Sequence, residues 1–185
     1  QRQMCIRDRC TSVHDQSVQD VWLRPTQLRE LKLAHCNALT DLAFPTPSMR
    51  RALPLSPPFR VCEHLRMLDL TCCTMLTDEA VRAIVSHAPR LRNVSLAKCS
   101  HLTDQSVYAI SELGRNIQHL HLAHVSHVTD RAIIHLAHHC TRIRYLDLAC
   151  CVQLTDESVV VLASQLPKLR RIGLVRVAQL TDRAI

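Results

Sequence analysis

The chain has 185 residues, of which 47% are apolar, and carries a formal net charge of +7 at pH 7. This apolar content excludes an intrinsically disordered chain, and the length suffices for one domain with a substantial core. No apolar run approaches the roughly 20 residues that cross a bilayer, and no secretory signal is visible, so we expect no membrane association.

The first nine residues, QRQMCIRDR, share no pattern with the rest of the chain. Read back into DNA, their segment MCIRD resembles a transposon adapter used in preparing sequencing libraries. We interpret residues 1–9 as a non-native leader, with an ordinary disordered end as the alternative. The array described next is therefore expected to occupy residues 10–185.

A repeat runs through the remainder of the chain. The segment L-x-x-L-x-L-x-x-[C/V]-x-x-[L/V]-T-D recurs six times, with intervals of 37, 26, 26, 26 and 26 residues. A partial copy, SVHDQSV, lies at 12–18, and the last unit stops at Ile185. We expect a piece of a longer array with both ends uncapped. The Thr-Asp pairs begin at Thr40, Thr77, Thr103, Thr129, Thr155 and Thr181.

Each unit predicts a strand, a turn and a helix. The alternating leucines predict a short strand, and the Thr-Asp pair predicts a helix N-terminus with Thr as N-cap and Asp favourable to the helix dipole. In DESVVVLASQL (156–166), apolar residues then recur at helical spacing. Since one unit cannot bury its apolar face alone, the units must stack. The sequence predicts an α/β leucine-rich-repeat solenoid of about six to seven repeats, with a curved parallel sheet inside and helices outside.

The long first interval predicts a loop insertion at 45–60. The segment FPTPSMRRALPLSPPF (44–59) holds five of the eight prolines, which prevent a continuous helix. Thr46 and Ser56 each precede a proline, so they are candidate sites for proline-directed kinases. The alternative is a stiff loop that is not modified.

Cysteines fill a position that other units give to valine. Val125 and Val177 take the ninth position of two units, so this position is a small buried one where thiols act as apolar filler. Because these cysteines belong to the core and the sequence contains no CxxC motif, we predict reduced thiols and an intracellular protein. The ninth-position cysteines are Cys36, Cys73, Cys99 and Cys151.

Polar side chains occupy the strand positions that point away from the predicted core. In HLHLAHVSH (119–127) the leucines face the core, so His119 and His121 face the open surface. Tyr145 and Asp147 take the same positions on the next strand, which places Asp147 about 5 Å from His121. Two histidines and one carboxylate could hold a metal ion. We prefer a polar binding surface with a His121–Asp147 contact and neither metal nor cofactor.

Basic residues fall into two groups. One group lies on the concave face, which extends about 25 Å over six strands and suits a peptide or protein partner better than a small molecule. Nucleic acid is not expected there, because the charge is modest and no aromatic stacking platform exists. The other group forms a rim where helices end and strands begin, and we interpret it as a complement to the helix dipoles. This rim comprises Arg29, Arg66, Arg92, Arg144 and Arg170, with the uncharged Gln118 at the equivalent position of one unit and Arg90, Arg142 and Lys168 nearby.

The segments APRLRNVSLAKC (88–99), RIRYLDLACCVQLTDESV (142–159) and LPKLRRIGLV (166–175) carry a more specific resemblance. With Cys at the ninth position and Thr-Asp opening the helix, the chain resembles the cysteine-containing leucine-rich repeats of F-box proteins, and most closely the fungal glucose-repression-resistance (Grr-type) receptor. Val125 and Val177 depart from the subclass cysteine, and the F-box itself is absent from this sequence.

The resemblance implies a non-catalytic substrate receptor of an SCF-type ubiquitin ligase in the cytoplasm and nucleus. Such a receptor binds the Skp adaptor and cullin through an upstream F-box. It holds phosphorylated targets such as G1 cyclins on the concave face for ubiquitination and proteasomal degradation. The alternatives are a protein-binding scaffold unrelated to ubiquitin and, less favoured, a metal-dependent enzyme. The implied phosphate contacts are Lys32, Lys98, Arg171 and Arg176, with His119, His121 and Tyr145 as polar neighbours.

Overall fold

The computed structural model describes residues 3–5, 13–23, 27–45 and 61–184. Its strands form one parallel seven-stranded sheet in chain order. They are β1 (Gln3–Cys5), β2 (Glu30–Lys32), β3 (Met67–Asp69), β4 (Asn93–Ser95), β5 (His119–His121), β6 (Tyr145–Asp147) and β7 (Arg171–Gly173). The helices are α1 (Asp15–Trp22), α2 (Asp78–His87), α3 (Asp104–Ser111), α4 (Asp130–His139) and α5 (Asp156–Gln165). Single 3₁₀ turns lie at Asp41–Ala43, Gly114–Asn116 and Asp182–Ala184.

Every strand pairs with the next in the same register, so the central apolar residues of neighbouring strands lie side by side in the core. Because strands stack about 4.8 Å apart and packed helices 8–10 Å apart, the stack curves with the sheet inside. The predicted solenoid is therefore confirmed. The buried central residues are Leu31, Leu68, Val94, Leu120 and Leu146. Across the described ranges, no helix is long and apolar enough to cross a membrane.

The first strand differs from the sequence prediction. Residues 1–9 were expected to lie outside the array, whereas Gln3–Cys5 pairs in parallel with β2, with Met4 opposite Leu31. The backbone N–H and C=O groups on the free edge of β2 can pair with any extended segment, so a regular repeat is not required there. Only backbone pairing, which sequence periodicity does not report, identifies this strand.

Aspartate at the first helical position joins each unit to the next. Asp78 Oδ1 accepts a hydrogen bond from the Thr103 backbone N–H at 2.9 Å, and Oδ2 accepts one from the Thr103 hydroxyl at 2.7 Å. Sequence reasoning assigned these aspartates to the helix dipole alone. The structure shows that they are also the polar connection between units. The same two bonds join Asp15–Thr40, Asp41–Thr77, Asp104–Thr129, Asp130–Thr155 and Asp156–Thr181.

The threonines also cap most of the helices, as the sequence predicts. The side-chain oxygens of Thr77, Thr103 and Thr155 accept the backbone N–H two residues further on. Thr129 is the exception, because its side chain makes no capping bond to α4. Its hydroxyl still donates to Asp104 at 2.6 Å, so at this unit the link between repeats persists without the cap.

The long interval leaves the stack undisturbed on both sides. Leu31 pairs with Leu68 in the register shared by all the later strands, and Asp41 bonds Thr77 as its counterparts do. Most of the predicted loop 45–60, including Thr46 and Ser56, lies outside the described residues.

The ninth-position thiols form a second regular series. Cys73, Cys99 and Cys151 are fully buried, and each thiol donates to the strand-end carbonyl of the preceding unit at 3.2–3.3 Å. Burial raises the pKa of Cys99 to about 12 and that of Cys151 to about 11, so both stay protonated. No disulfide joins any two of the eight cysteines whose side chains are described.

Candidate functional site

Three rows of side chains cross the concave face. The first and second rows flank the buried central residue of each strand, and the third follows each strand by three residues. The first row is Glu30, Met67, Asn93, His119, Tyr145 and Arg171. The second row is Lys32, Asp69, Ser95, His121, Asp147 and Gly173. The third row is His35, Cys72, Lys98, His124, Cys150 and Arg176.

The third row adopts a left-handed backbone at every position. Its φ angles lie between 58° and 65°, although none of the six residues is glycine. The backbone N–H of Lys98 donates to the Ala123 carbonyl at 2.8 Å, and that of His124 donates to the Ala149 carbonyl at 2.8 Å. These bonds to the next unit hold the strained conformation. Sequence reasoning missed this feature because no glycine marks it.

The left-handed backbone leads to a prediction at His124. His124→Val is expected to lower the free energy of unfolding by about 1–2 kcal/mol, because a β-branched residue is strained at positive φ. His124→Gly is expected to change it by no more than about 1 kcal/mol, since glycine adopts this conformation freely. Urea denaturation measures both. Val at His127, an exposed residue three positions further on and outside the positive-φ set, is the matched control. Equal losses at 124 and 127 would contradict the assignment.

Aromatic and acidic side chains meet at the centre of the concave face. The ring of His121 lies against that of Tyr145 at 4.6 Å between centroids, and His121 Nδ1 lies 4.0 Å from Asp147 Oδ2. His119 lies further from Tyr145, at 6.4 Å. Partial burial lowers the pKa of His121, and Asp147 offsets part of that effect. The imidazole of His121 is therefore neutral at neutral pH, so this centre presents hydrogen-bonding groups rather than added positive charge.

Asp147 extends toward the last strand. A Cβ placed on Gly173 would lie 2.5 Å from Asp147 Oδ1, so the carboxylate occupies the space that a side chain at 173 would need. The same oxygen accepts the Ala149 backbone N–H at 3.1 Å. On β3, Asp69 accepts the Thr71 hydroxyl at 2.7 Å, and Thr71 also bonds Ser95. Carboxylates therefore occupy two of the six positions in the second row.

The four candidate phosphate contacts do not converge. Lys32 lies 3.6 Å from Glu30, which partly neutralises it. Lys98, Arg171 and Arg176 are exposed and form no ion pair within the described ranges. Lys98 and Arg176 both belong to the third row, so three strand spacings, about 14 Å, separate them. Arg171 belongs to the first row of the β7 unit and lies further from Lys98. The geometry suits two separate anionic groups on one extended ligand better than a single phosphate.

The metal alternative finds no geometric support where side chains are described. Within those ranges, no group of three or more His, Cys, Asp or Glu side chains is arranged to hold a metal ion. Of the three residues in that hypothesis, Asp147 accepts the Ala149 N–H through Oδ1, and its Oδ2 lies 4.0 Å from His121 Nδ1.

Comparison with known proteins agrees with this architecture. The leucine-rich-repeat family profile matches residues 61–85 and 139–163, each of which runs from the end of one helix or loop into the next helix. A chain in the crystal structure of the yeast Rad7–Elc1 complex superposes with a TM-score of 0.77 at 22% identity, over 94% of this chain. The fold is a leucine-rich-repeat solenoid. This solenoid spans 42% of the length of the chain in that complex. No curated protein matches the sequence significantly.

Proposed function

We propose that this leucine-rich-repeat solenoid is the substrate-recognition array of an SCF-type ubiquitin ligase and binds phosphorylated proteins on its concave face. The observation that carries the proposal is the exposure of Lys98, Arg171 and Arg176, without carboxylate partners in the described chain, on an otherwise polar face. Arginine forks and lysine ammonium groups bind phosphate through charge-assisted hydrogen bonds. The Grr-type resemblance supports G1 cyclins as one class of target.

The proposal places catalysis elsewhere. The array holds the target, while an F-box outside this chain recruits the Skp adaptor and cullin, in the cytoplasm and nucleus. The similar fold in the Rad7–Elc1 crystal structure supports a role within a multi-protein assembly, because that protein too was crystallised as a complex. A scaffold unrelated to ubiquitin is the second candidate. Asp69 and Asp147 favour it, since carboxylates in the second row repel a phosphate placed there.

A peptide with two phosphothreonines four residues apart tests whether the concave face binds phosphate groups. In extended form its phosphates lie about 14 Å apart, matching the distance from the Lys98 unit to the Arg171 unit. We expect it to bind more tightly than the unphosphorylated peptide, and Lys98→Ala and Arg171→Ala each to weaken it by about 1–3 kcal/mol. Isothermal titration calorimetry provides the measurement.

Arg131→Ala is the matched control for charge, because Arg131 is exposed on the outer helix α4. Equal affinity for the two peptide forms would refute phosphate reading on the concave face and leave the scaffold interpretation. The ubiquitin link has its own test, in which the full-length protein is purified from its cells and probed for Skp and cullin subunits. Their absence would refute that link whatever the peptide result.

A further inference from the structure

Four arginines gather at the N-terminal edge of the sheet, away from the concave rows. Arg29, Arg66 and Arg92 each immediately precede a strand, and Arg90 lies two residues before Arg92. The backbone N–H of Arg66 donates to the Arg29 carbonyl and that of Arg92 donates to the Arg66 carbonyl, both at 2.8 Å. Consecutive members of this row are therefore one strand spacing apart. We call these four residues the arginine edge.

Three of these arginines line one recess, and Arg29 lies beside it in the row. Arg66, Arg90 and Arg92 line a surface recess of about 310 Å³ together with Asn116. Partial burial lowers the pKa of Arg66, and the charges of Arg92, Arg90 and Arg29 lower it further. The positive charges of the other three arginines therefore lie close enough to act on Arg66.

The recess is held in place by hydrogen bonds. Arg66 Nη1 donates to the carbonyls of Glu63 and Leu65, at 2.6 Å and 3.1 Å. The Asn116 side-chain amide donates to the Pro89 carbonyl at 3.0 Å, which fixes the loop that carries Arg90. The guanidinium of Arg66 and the loop beneath Arg90 are thus positioned before any ligand arrives, which lowers the entropic cost of binding.

Helix dipoles do not account for the position of Arg66. The effect of a dipole falls off within the last helical turn, whereas Arg66 donates to Glu63 and Leu65, which lie in a loop. Within the described chain none of the four arginines forms an ion pair with a carboxylate. Like charges held together without a counter-charge are unfavourable, and an anionic ligand would remove that repulsion.

We propose that the arginine edge binds a phosphomonoester group on a protein partner, at a site distinct from the concave face. Guanidinium forks match the geometry of phosphate oxygens, and the recess takes one such group among three arginines. The cluster is compact, because Gln118 follows Arg92 in the row and interrupts the charge. No aromatic side chain lines the recess, so it lacks the stacking platform of a single-stranded nucleic-acid site. The proposal does not depend on the ubiquitin link.

The test titrates the whole chain with a capped Gly-Ala-phosphoserine-Ala-Gly peptide and follows the arginine Nε–H resonances by NMR. We expect shifts at Arg66, Arg90 and Arg92 that the serine peptide does not cause. Arg66→Gln and Arg92→Gln are each expected to weaken binding about tenfold. Arg92→Lys keeps the charge but loses the fork, so an intermediate loss is expected.

Three comparisons decide the source of the phosphate. Orthophosphate is expected to bind more weakly than the phosphopeptide, whereas equal or tighter binding would overturn the protein partner in favour of a small anion. The other two ligands are poly(U) RNA and phosphatidylcholine vesicles with 5% phosphatidylinositol bisphosphate. If either bound more tightly than the phosphopeptide, and Arg66→Gln and Arg92→Gln weakened that binding, the protein partner would be overturned. Arg131→Gln controls for net charge and should change affinity less than twofold.

Measurements of stability distinguish a purely structural role of the arginine edge from a role in binding. Because the edge arginines repel one another, Arg92→Gln is expected to leave the thermal midpoint unchanged or raise it at low salt. A lower midpoint with unchanged phosphopeptide affinity would assign the edge to folding and overturn the proposal. In the concave-face variants Lys98→Ala and Arg171→Ala, the peptide should still shift the Nε–H resonances of Arg66, Arg90 and Arg92, which distinguishes the two sites.

Discussion

Asp78→Ala is expected to lower the free energy of unfolding by about 3 kcal/mol, the largest effect of any single polar substitution in the array. Asp78 accepts three hydrogen bonds from the next unit, from the Thr103 N–H, the Thr103 hydroxyl and the Ser106 N–H. Alanine would leave the half-buried Thr103 N–H and hydroxyl without this acceptor, whereas the Ser106 N–H would keep its bond to the Thr103 carbonyl at 3.1 Å. It would also remove the first-turn negative charge of α2. Urea denaturation followed by circular dichroism measures the loss.

Glu79→Ala separates the contribution of the hydrogen bonds to the next unit from that of the helix dipole. Glu79 lies in the same first turn of α2, but its carboxylate pairs with Arg82 on its own helix rather than with the next unit. Glu79→Ala should therefore lower the free energy of unfolding by less than about 1 kcal/mol. A similar loss for both variants would show that Asp78 acts through the helix dipole alone. Because each unit contacts only its neighbours, Asp78→Ala should also divide the unfolding transition into two parts.

The second large effect is alkaline unfolding driven by buried thiols. Cys99, Cys140 and Cys151 are 0% exposed, and burial raises the pKa of their thiols from 9.0 to about 12, 12 and 11. Above pH 9 the unfolded thiols lose protons that the folded ones keep, so stability is complete below pH 9 and falls as pH rises toward the folded values. Three thiols together should remove about 4 kcal/mol per pH unit in that window.

The repeat supplies its own controls for the thiols. Val125 and Val177 occupy the position of Cys99 and Cys151, and Ala88 occupies that of Cys140. The variant Cys99→Val/Cys140→Ala/Cys151→Val should fold at pH 7 and keep more of its stability at pH 10.5 than the parent chain. Identical pH profiles, measured by urea denaturation from pH 7 to 11, would show that other groups govern the alkaline transition.

The sequence predicts the architecture because the same local pattern of residues recurs in every repeat. Alternating leucines fix the strand faces, and Thr77 and Thr155 mark helix starts that the structure places one residue later. The period also predicts that Cys99 and Val125 share a buried position, which their exposure of 0% bears out. Each of these inferences needs only spacing and side-chain chemistry.

What the sequence could not predict depends on contacts across units. The Asp78–Thr103 bonds join residues 25 positions apart, and the left-handed backbone at Lys98 is held by a carbonyl of the next unit. The arginines of the edge are visible in the sequence, but their gathering around Arg66 depends on where each side chain turns. Periodicity gives the row a residue occupies; it does not give the direction of its guanidinium.

The insertion between β2 and β3 has a practical consequence. Those strands keep the common register, and Asp41 bonds Thr77 across 36 residues as other pairs do across 25. Connections on this side of the stack thus vary in length without altering the scaffold that they join. A reporter domain or epitope inserted between positions 45 and 61 is therefore expected to leave the concave face intact.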